Sequence, residues 1–163
     1  MVKTNINLFA EGEVVYTDGG VLAEFAWVLV VLPFIAALII TFAGKSLPLK
    51  GAEIALGTIG IIFIYSLALM YLHVTEGVAN EFFINVGNIG QFDIEFGWVV
   101  DGLSIMMYFV VGLVALLVFI YATNYMEGEI RYTFFFTSLT LFAGSMLVLV
   151  SSPTLIQILI GWE

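Results

Sequence analysis

Four long apolar segments, separated by shorter polar ones, dominate the pattern of the chain. A helix that crosses the hydrocarbon region of a bilayer needs about 20 mainly apolar residues, and each segment has about that length. Aromatic residues of the kind that favours the membrane interface, such as Trp27 and Tyr125, stand near their ends. The pattern therefore predicts membrane-spanning helices at residues 22–42, 52–74, 103–125 and 132–150.

The polar segment between the second and third apolar runs has a different period. Residues 92–96 alternate apolar and charged positions, which is typical of a half-buried β-strand. Residues 87–90 offer turn-forming Gly and Asn, and residues 81–86 are the candidate partner strand. We predict a short β-hairpin on the outer face of the membrane. Because a two-stranded hairpin alone is only marginally stable, it is expected to pack on the helix ends or on a neighbouring subunit.

A fifth apolar segment begins at Pro153, a residue favoured in the first turn of a helix. Its eleven residues, 153–163, span roughly 16 Å, about half of the hydrocarbon thickness. The segment ends with Glu163, and a charge at the bilayer centre is costly. We expect that the sequence is a fragment of a longer protein or that a second chain completes this helix.

The predicted fold class is an all-α integral membrane protein, with four transmembrane helices, the first half of a fifth, and the hairpin.

Composition supports a membrane protein and excludes several other classes. Hydrophobic residues make up 62% of the chain and charged residues only 10%, against about 45–50% and 25% in soluble proteins. The absence of cysteine excludes disulfides and thiolate metal sites, and the net charge of −9 argues against nucleic acid as a partner. No phosphate-binding loop, catalytic triad or histidine pair is present, so neither a cofactor nor a metal is expected. The polar start of the chain does not have the pattern of a cleavable signal peptide.

The few basic residues predict the orientation. Lys45 and Lys50 lie between the first two helices and Arg131 between the third and fourth, whereas the segment at 75–101 carries only acidic charges. The positive-inside rule then places loops 45–50 and 127–131 in the cytoplasm and the N-terminus outside, with Lys3 as the exception. The expected location is a bacterial-type inner (plasma) membrane.

Several short motifs resemble those of a known family. They are VDGLS at 100–104, YATNYM at 121–126, RYTFF at 131–135, SMLVLV at 145–150 and IGWE at 160–163. Together they resemble the N-terminal part of the L (chain 5) subunit family of NADH-quinone oxidoreductase, or respiratory complex I. The large subunit of Mrp-type cation/proton antiporters and related bicarbonate-uptake proteins share the pattern, and both remain alternatives.

The residue pattern and the resemblance together predict a division into four regions. These are a polar segment outside the membrane at 1–20, two helices at 21–74, an external loop with the hairpin at 75–101, and an antiporter-type region at 102–163. The resemblance also implies a proton-translocating subunit without redox chemistry of its own, whose partners are other membrane subunits, the lipid bilayer and transported protons. In the family such hairpins join neighbouring subunits.

Glu163 is the one candidate catalytic residue. The resemblance implies that it is the buried proton-transfer glutamate of the GWE motif, and carboxylates in a low-dielectric medium bind protons more readily than in water. The lysine that balances this glutamate in the family is absent from the chain, so that the chain alone is expected to be inactive. The residues alone leave an alternative open: Glu163 is then only a carboxylate at a frayed helix end. In that case the chain is a structural membrane module that carries no ions.

Two other polar residues have a structural as well as a functional interpretation. Glu24 could line a proton entrance, but a carboxylate at the start of a membrane helix is more commonly an interfacial residue. His73 fits anchoring at the membrane interface better than proton relay. Close helix packing is predicted at the small residues Gly57, Gly60, Gly112, Ala143 and Gly144.

Overall fold

The computed structural model describes residues 17–18, 20–89 and 92–163, and within this part of the chain helices predominate. In chain order its elements are β1 (Thr17–Asp18), α1 (Gly20–Glu24), α2 (Trp27–Ala43), a 3-10 turn (Gly44–Ser46), α3 (Ala52–Glu76), β2 (Val78–Ile89), β3 (Phe92–Val100), α4 (Gly102–Tyr125), α5 (Tyr132–Ser151) and α6 (Leu155–Trp162).

Three of the four predicted membrane helices are confirmed to within about two residues at each end, as α3, α4 and α5. The first, predicted at 22–42, is two helices instead, because the chain turns at Phe25 and Ala26 between α1 and α2. Both turn residues are apolar and give no sign of a break. Among the described residues, four helices are long and apolar enough to cross a membrane: Trp27–Ser46, Ala52–Glu76, Gly102–Tyr125 and Tyr132–Ser151.

Local hydrogen bonds explain where α3 and α4 begin and end. Asp101 accepts a hydrogen bond from the backbone N–H of Ser104 at 2.7 Å and so caps α4. Glu53, in the first turn of α3, accepts the backbone N–H of Leu49 at 3.1 Å. Both carboxylates therefore stand at helix starts. At the other end of α3, Gly77 adopts a left-handed backbone with φ of 65°, which stops the helix.

The long helices run alternately up and down and have two distinct ends. At one, which we call the hairpin end, α2 and α4 begin, α3 and α5 end, and Trp27 lies 6.5 Å from Trp98 of β3, centroid to centroid. At the other, the loop end, the 44–51 and 126–131 connections lie. Helix α3 packs mainly on α4 and helix α2 mainly on α5, while α6 packs on α5.

Two of the predicted close contacts between helices are confirmed. A Cβ added to Gly112 of α4 would lie 3.3 Å from Cα of Phe63 in α3, and one added to Gly144 of α5 would lie 3.1 Å from Pro33 of α2. The same prediction is wrong for Gly57 and Gly60, where an added Cβ would meet no atom within 4 Å.

The predicted hairpin is present but longer than its alternating segment. Strands β2 and β3 pair antiparallel from Asn80 opposite Val100 to Ile89 opposite Phe92, with an irregularity between Asn85 and Gly87. The short strand β1 adds a parallel pair on the far side of β2. The predicted turn at 87–90 is wrong in part, because residues 87–89 belong to β2; its last residue, Gly90, lies outside the described residues.

The helices expose much apolar surface. Phe42, Leu103 and Phe134 are 85%, 71% and 69% exposed. Water would disfavour these side chains, whereas acyl chains solvate them. The described part of the protein is therefore an integral membrane bundle with a small sheet, built on an antiparallel hairpin, at one end.

Candidate functional site

Helix α6 carries the predicted site residue, and its start differs from the prediction. Pro153 precedes the helix, because the hydroxyl of Thr154 accepts the backbone N–H of Gln157 at 3.4 Å and caps it. Threonine is a favoured residue at this cap position, and its side chain sets the first turn at Leu155. The helix then runs to Trp162.

Glu163 continues the last turn of α6, since its N–H bonds to the carbonyl oxygen of Leu159 at 3.1 Å. It lies ~13 Å along the helix axis from Thr154 at 1.5 Å per residue. The carboxylate is exposed, on the same side as Leu159 and Ile156, which are 61% and 47% exposed. The structure thus places Glu163 on the side of α6 that faces away from α5.

The opposite side of α6 is held by Gln157, a residue that sequence reasoning missed. Its side-chain Nε2 donates to the carbonyl oxygen of Gly97 at 2.8 Å, and its Oε1 accepts the N–H of Gly97 at 3.0 Å. Both residues are buried. Two facing hydrogen bonds therefore join α6 to strand β3 of the hairpin.

Gly97 is required at this place because β2 approaches it closely. An added Cβ would lie only 2.0 Å from the carbonyl oxygen of Phe82. The neighbouring rings of Phe82 and Trp98 stack with centroids 4.4 Å apart. The hairpin strand that receives Gln157 is thus firmly packed on its partner strand.

A buried polar cluster lies beside this contact, where α4 begins and α5 ends. Ser104 donates to the carbonyl oxygen of Val150 at 3.4 Å, and Ser151 donates to that of Leu147 at 2.9 Å. The Tyr108 hydroxyl is fully buried and makes no hydrogen bond of ordinary geometry, although the hydroxyl of Ser151 lies near it. A buried polar atom without a partner is unusual in a folded protein.

A cavity of about 200 Å³ opens next to the Gln157–Gly97 pair at the hairpin end. Its walls are mostly aromatic and aliphatic, and Ser151 of α5 and Gln157 of α6 add polar side chains to the indole rings of two tryptophans. The lining residues are Trp27, Val30, Val31, Phe96, Gly97, Trp98, Ser151 and Gln157.

Other residues singled out from the sequence lie away from Glu163 along the chain. Glu24 is exposed at the end of α1. The imidazole of His73 lies against Gly102, where an added Cβ would come within 2.8 Å of Nε2, so that it packs the end of α3 onto the start of α4. The described basic residues Lys45, Lys50 and Arg131 stand at the loop end.

Glu163 has no cluster of potential metal ligands around it in the part of the chain that the structure describes. Within 17–18, 20–89 and 92–163, no three His, Cys, Asp or Glu side chains come together as a metal site. Glu163 is an exposed carboxylate at the end of a mainly apolar helix.

Two signals in the sequence point to the missed residues. Gln157 is the one polar side chain between Leu155 and Gly161, and an amide in an apolar helix has to find a hydrogen-bond partner. Gly97 interrupts a strand, which often marks a close approach of backbone. Neither signal shows that Gln157 and Gly97 are partners, because the two residues are 60 positions apart in the chain.

Comparison with known proteins gives matches over the hairpin and the helices. The family described as NADH-ubiquinone oxidoreductase (complex I), chain 5 N-terminus, matches residues 87–136, which include β3, α4 and the beginning of α5. This is the region of the DGLS motif.

Curated relatives match a larger part of the chain. NAD(P)H-quinone oxidoreductase chain 5 of a Synechocystis species is 35% identical over 149 residues, 87% of this chain and 22% of that protein. The corresponding protein of a Picosynechococcus species is also 35% identical, over 150 residues, with the same coverage of both chains. The chloroplastic NAD(P)H-quinone oxidoreductase subunit 5 of Chlorokybus atmophyticus is 34% identical over 147 residues, 86% of this chain and 22% of that protein.

The chain thus spans about a fifth of the length of these curated relatives. The predicted resemblance is confirmed: over most of its length, this chain is similar to the N-terminal part of the chain 5 subunit of the NAD(P)H-quinone oxidoreductases.

Proposed function

We propose that this chain supplies the N-terminal membrane helices of a proton-translocating subunit of an NAD(P)H-quinone oxidoreductase. Electron transfer takes place in other subunits, and this subunit carries protons across the membrane. The observation that carries the proposal is the position of Glu163, a carboxylate at the far end of a capped, apolar helix that packs on a membrane bundle. The similarity to chain 5 over 87% of the sequence supports it.

In this function Glu163 is the proton-carrying group. A carboxylate surrounded by hydrocarbon and helices is costly to ionise, and its protonation then depends on nearby charge. A positive group brought close to it favours release of the proton, and removal of that group favours uptake. Since Glu163 lies on the exposed side of α6, such a group would approach from outside the described bundle.

The orientation that we propose follows from charge. The loop end carries Lys45, Lys50 and Arg131, and the positive-inside rule assigns it to the cytoplasm. The hairpin end then faces the outside. The proposed partners are other membrane subunits, which would cover apolar helix surface and the exposed rings of Phe82 and Phe83, 44% and 45% exposed.

The test replaces Glu163 in the full-length subunit, assembled in its complex. The Glu163→Gln variant keeps the size of the side chain but cannot lose a proton. We expect proton translocation per electron transferred to fall at least severalfold in membrane vesicles, while the amount of assembled complex stays the same. Glu129→Gln, at an exposed position of the loop end, is the matched control and should pump normally.

Normal pumping by a fully assembled Glu163→Gln complex would contradict the proposal and favour a structural role for these helices. A second measurement on the same vesicles distinguishes redox-driven pumping from cation/proton antiport. If an imposed sodium gradient drives proton movement without electron transfer, and Glu163→Gln abolishes it, the carboxylate serves cation/proton exchange instead.

A further inference from the structure

The side chain of Gln157 occupies the place of an additional strand at the edge of β3. A carboxamide resembles a peptide group, because it holds a donor and an acceptor in one plane. Gln157 uses both, toward the carbonyl oxygen and the N–H of Gly97. A leucine of similar size could make neither bond, and a glutamate could only accept.

One side of α6 is thereby anchored at two points, four residues apart. Gln157 is joined to the hairpin, and Gly161 rests on the backbone of Leu149 in α5, where an added Cβ would lie 2.9 Å from the Leu149 nitrogen. Residues four apart lie on one helix face. The depth and the rotation of α6 are therefore both determined by this face.

Glu163 follows these anchors closely. It lies two residues beyond Gly161 and six beyond Gln157, or about 9 Å along the axis. A helix of this length moves as a unit, so that a change at Gln157 displaces the carboxylate as well. Two residues correspond to about 200° of rotation, which explains why Glu163 points away from the anchored face.

The geometry points to Gln157 as a positioning residue for Glu163: its pairing with Gly97 sets the depth and rotation of the carboxylate relative to the hairpin. The role of this position in pumping rests on the function proposed above. The position itself is a property of the bundle and can be tested separately.

A positioning role differs from a purely stabilising one in what it changes. The cost of charging a carboxylate varies with its depth in the membrane and with the polarity around it. If α6 slides or rotates, the pH at which half of the Glu163 side chains are protonated changes. If Gln157 only adds stability, fewer complexes assemble but those that do titrate normally.

The experiment uses the full-length subunit in its assembled complex and measures protonation of Glu163 directly. A hydrophobic carbodiimide reacts with protonated carboxyl groups in membranes, and mass spectrometry gives the fraction of Glu163 labelled at each pH. We expect Gln157→Leu to shift the midpoint of labelling by about half a pH unit or more. Gln157→Asn, which keeps the amide on a shorter side chain, should shift it less. Thr140→Val is the control, because the buried Thr140 hydroxyl bonds only within its own helix, to Phe136.

An unchanged labelling midpoint in the Gln157 variants would overturn the positioning role, whatever the level of assembly. If Gln157→Leu does not assemble, Gln157→Asn alone decides, and an unshifted midpoint there has the same meaning. The two proposals fail separately. A shifted midpoint with pumping that is indifferent to Glu163→Gln would retain the positioning role and reject the pumping function. An unshifted midpoint, together with pumping that depends on Glu163, would reject the positioning role and retain the pumping function.

Discussion

Thr133, at the beginning of α5, donates its hydroxyl proton to the backbone carbonyl oxygen of Lys50 at 3.0 Å. The bond joins the first loop of the bundle to a residue that lies 83 positions later in the chain. Gly44 makes room for the same side chain, since an added Cβ would lie 2.7 Å from the Thr133 methyl carbon. The loop end is thus closed by contacts between the 44–51 connection and α5, while Gln157 joins α6 to the sheet at the hairpin end.

Gly97→Ala should destabilise the hairpin. The new Cβ would lie 2.0 Å from the Phe82 carbonyl oxygen, so that the strands have to separate and the pair with Gln157 is disturbed. Overpacking of this kind costs about 1–3 kcal/mol. The midpoint of thermal unfolding of the purified protein should fall. Gly57→Ala is the matched control: an added Cβ meets nothing within 4 Å there, and alanine favours a helix by about 0.5–1 kcal/mol. Equal midpoints for the two variants would contradict the clash.

Asp101→Ala should lower stability by about 1 kcal/mol through loss of the cap on α4. The carboxylate accepts the N–H of Ser104, and alanine leaves that N–H without its side-chain partner. Asp101→Asn keeps an acceptor oxygen and should retain most of the stability. Unfolding of both variants in the same detergent provides the comparison, and a loss of equal size in Asp101→Asn would assign the effect to charge instead of capping.

Glu81 gives the hairpin a predicted pH dependence. Partial burial, and secondarily the negative charge of Asp101, raise the pKa of the Glu81 carboxyl above its usual value of 4.5. The folded state therefore binds this proton more tightly than the unfolded state. Its contribution to stability is fully present below pH 4.5 and is lost as the pH rises through the folded-state pKa.

The corresponding measurement is the unfolding midpoint as a function of pH, from about 4 upward, for wild type and for Glu81→Gln. Glutamine cannot titrate, so that the part of the decline due to Glu81 should disappear in the variant. Asp101→Asn removes the negative charge that helps to raise the pKa of Glu81. The folded-state pKa of Glu81 then lies closer to its unfolded value, so that stability falls over a narrower range of pH. Identical pH curves for wild type and Glu81→Gln would show that the carboxyl titrates alike in both states.

Tyr108→Phe should be neutral or stabilising, by up to about 1 kcal/mol. The Tyr108 hydroxyl is fully buried without a hydrogen bond of ordinary geometry, and burial of an unpaired polar group costs free energy that phenylalanine avoids. Thermal unfolding again provides the measurement, with Tyr71→Phe, at a 71% exposed position, as a control. A clear loss of stability in Tyr108→Phe would demonstrate a partner for the hydroxyl in the folded protein.

The sequence predicts the long helices well because each is an uninterrupted apolar run of membrane length. Asp101 and Glu53 are also readable locally, since an acidic residue at the beginning of an apolar run can accept hydrogen bonds from the free backbone N–H groups there. The break at Phe25 and Ala26 is different, because both residues suit a continuous helix. The start of α6 is likewise decided by the Thr154 side chain and not by Pro153.

The candidate site is predicted only in part. Glu163 stands out because it is a charge in an apolar segment. The anchor that holds its helix cannot be read from local patterns, since Gln157 and Gly97 belong to different elements. Nor does the pattern reveal which helices are neighbours: the small residues Gly112 and Gly144 lie at contacts, whereas Gly57 and Gly60, in the same kind of context, do not.

The preference of α2 for α5 over α3 has a consequence for biogenesis. A ribosome delivers helices to the membrane in chain order, so that α2 enters the lipid long before its main partner has been synthesised. Before α5 arrives it can pack on α3, with which it makes a smaller contact, and its length and apolar sequence allow it to remain in the bilayer. The bundle consequently closes late, through contacts of high sequence separation that are slow to form. Premature termination of translation before α5 would leave α2 in the bilayer with the face that packs on α5 exposed to lipid.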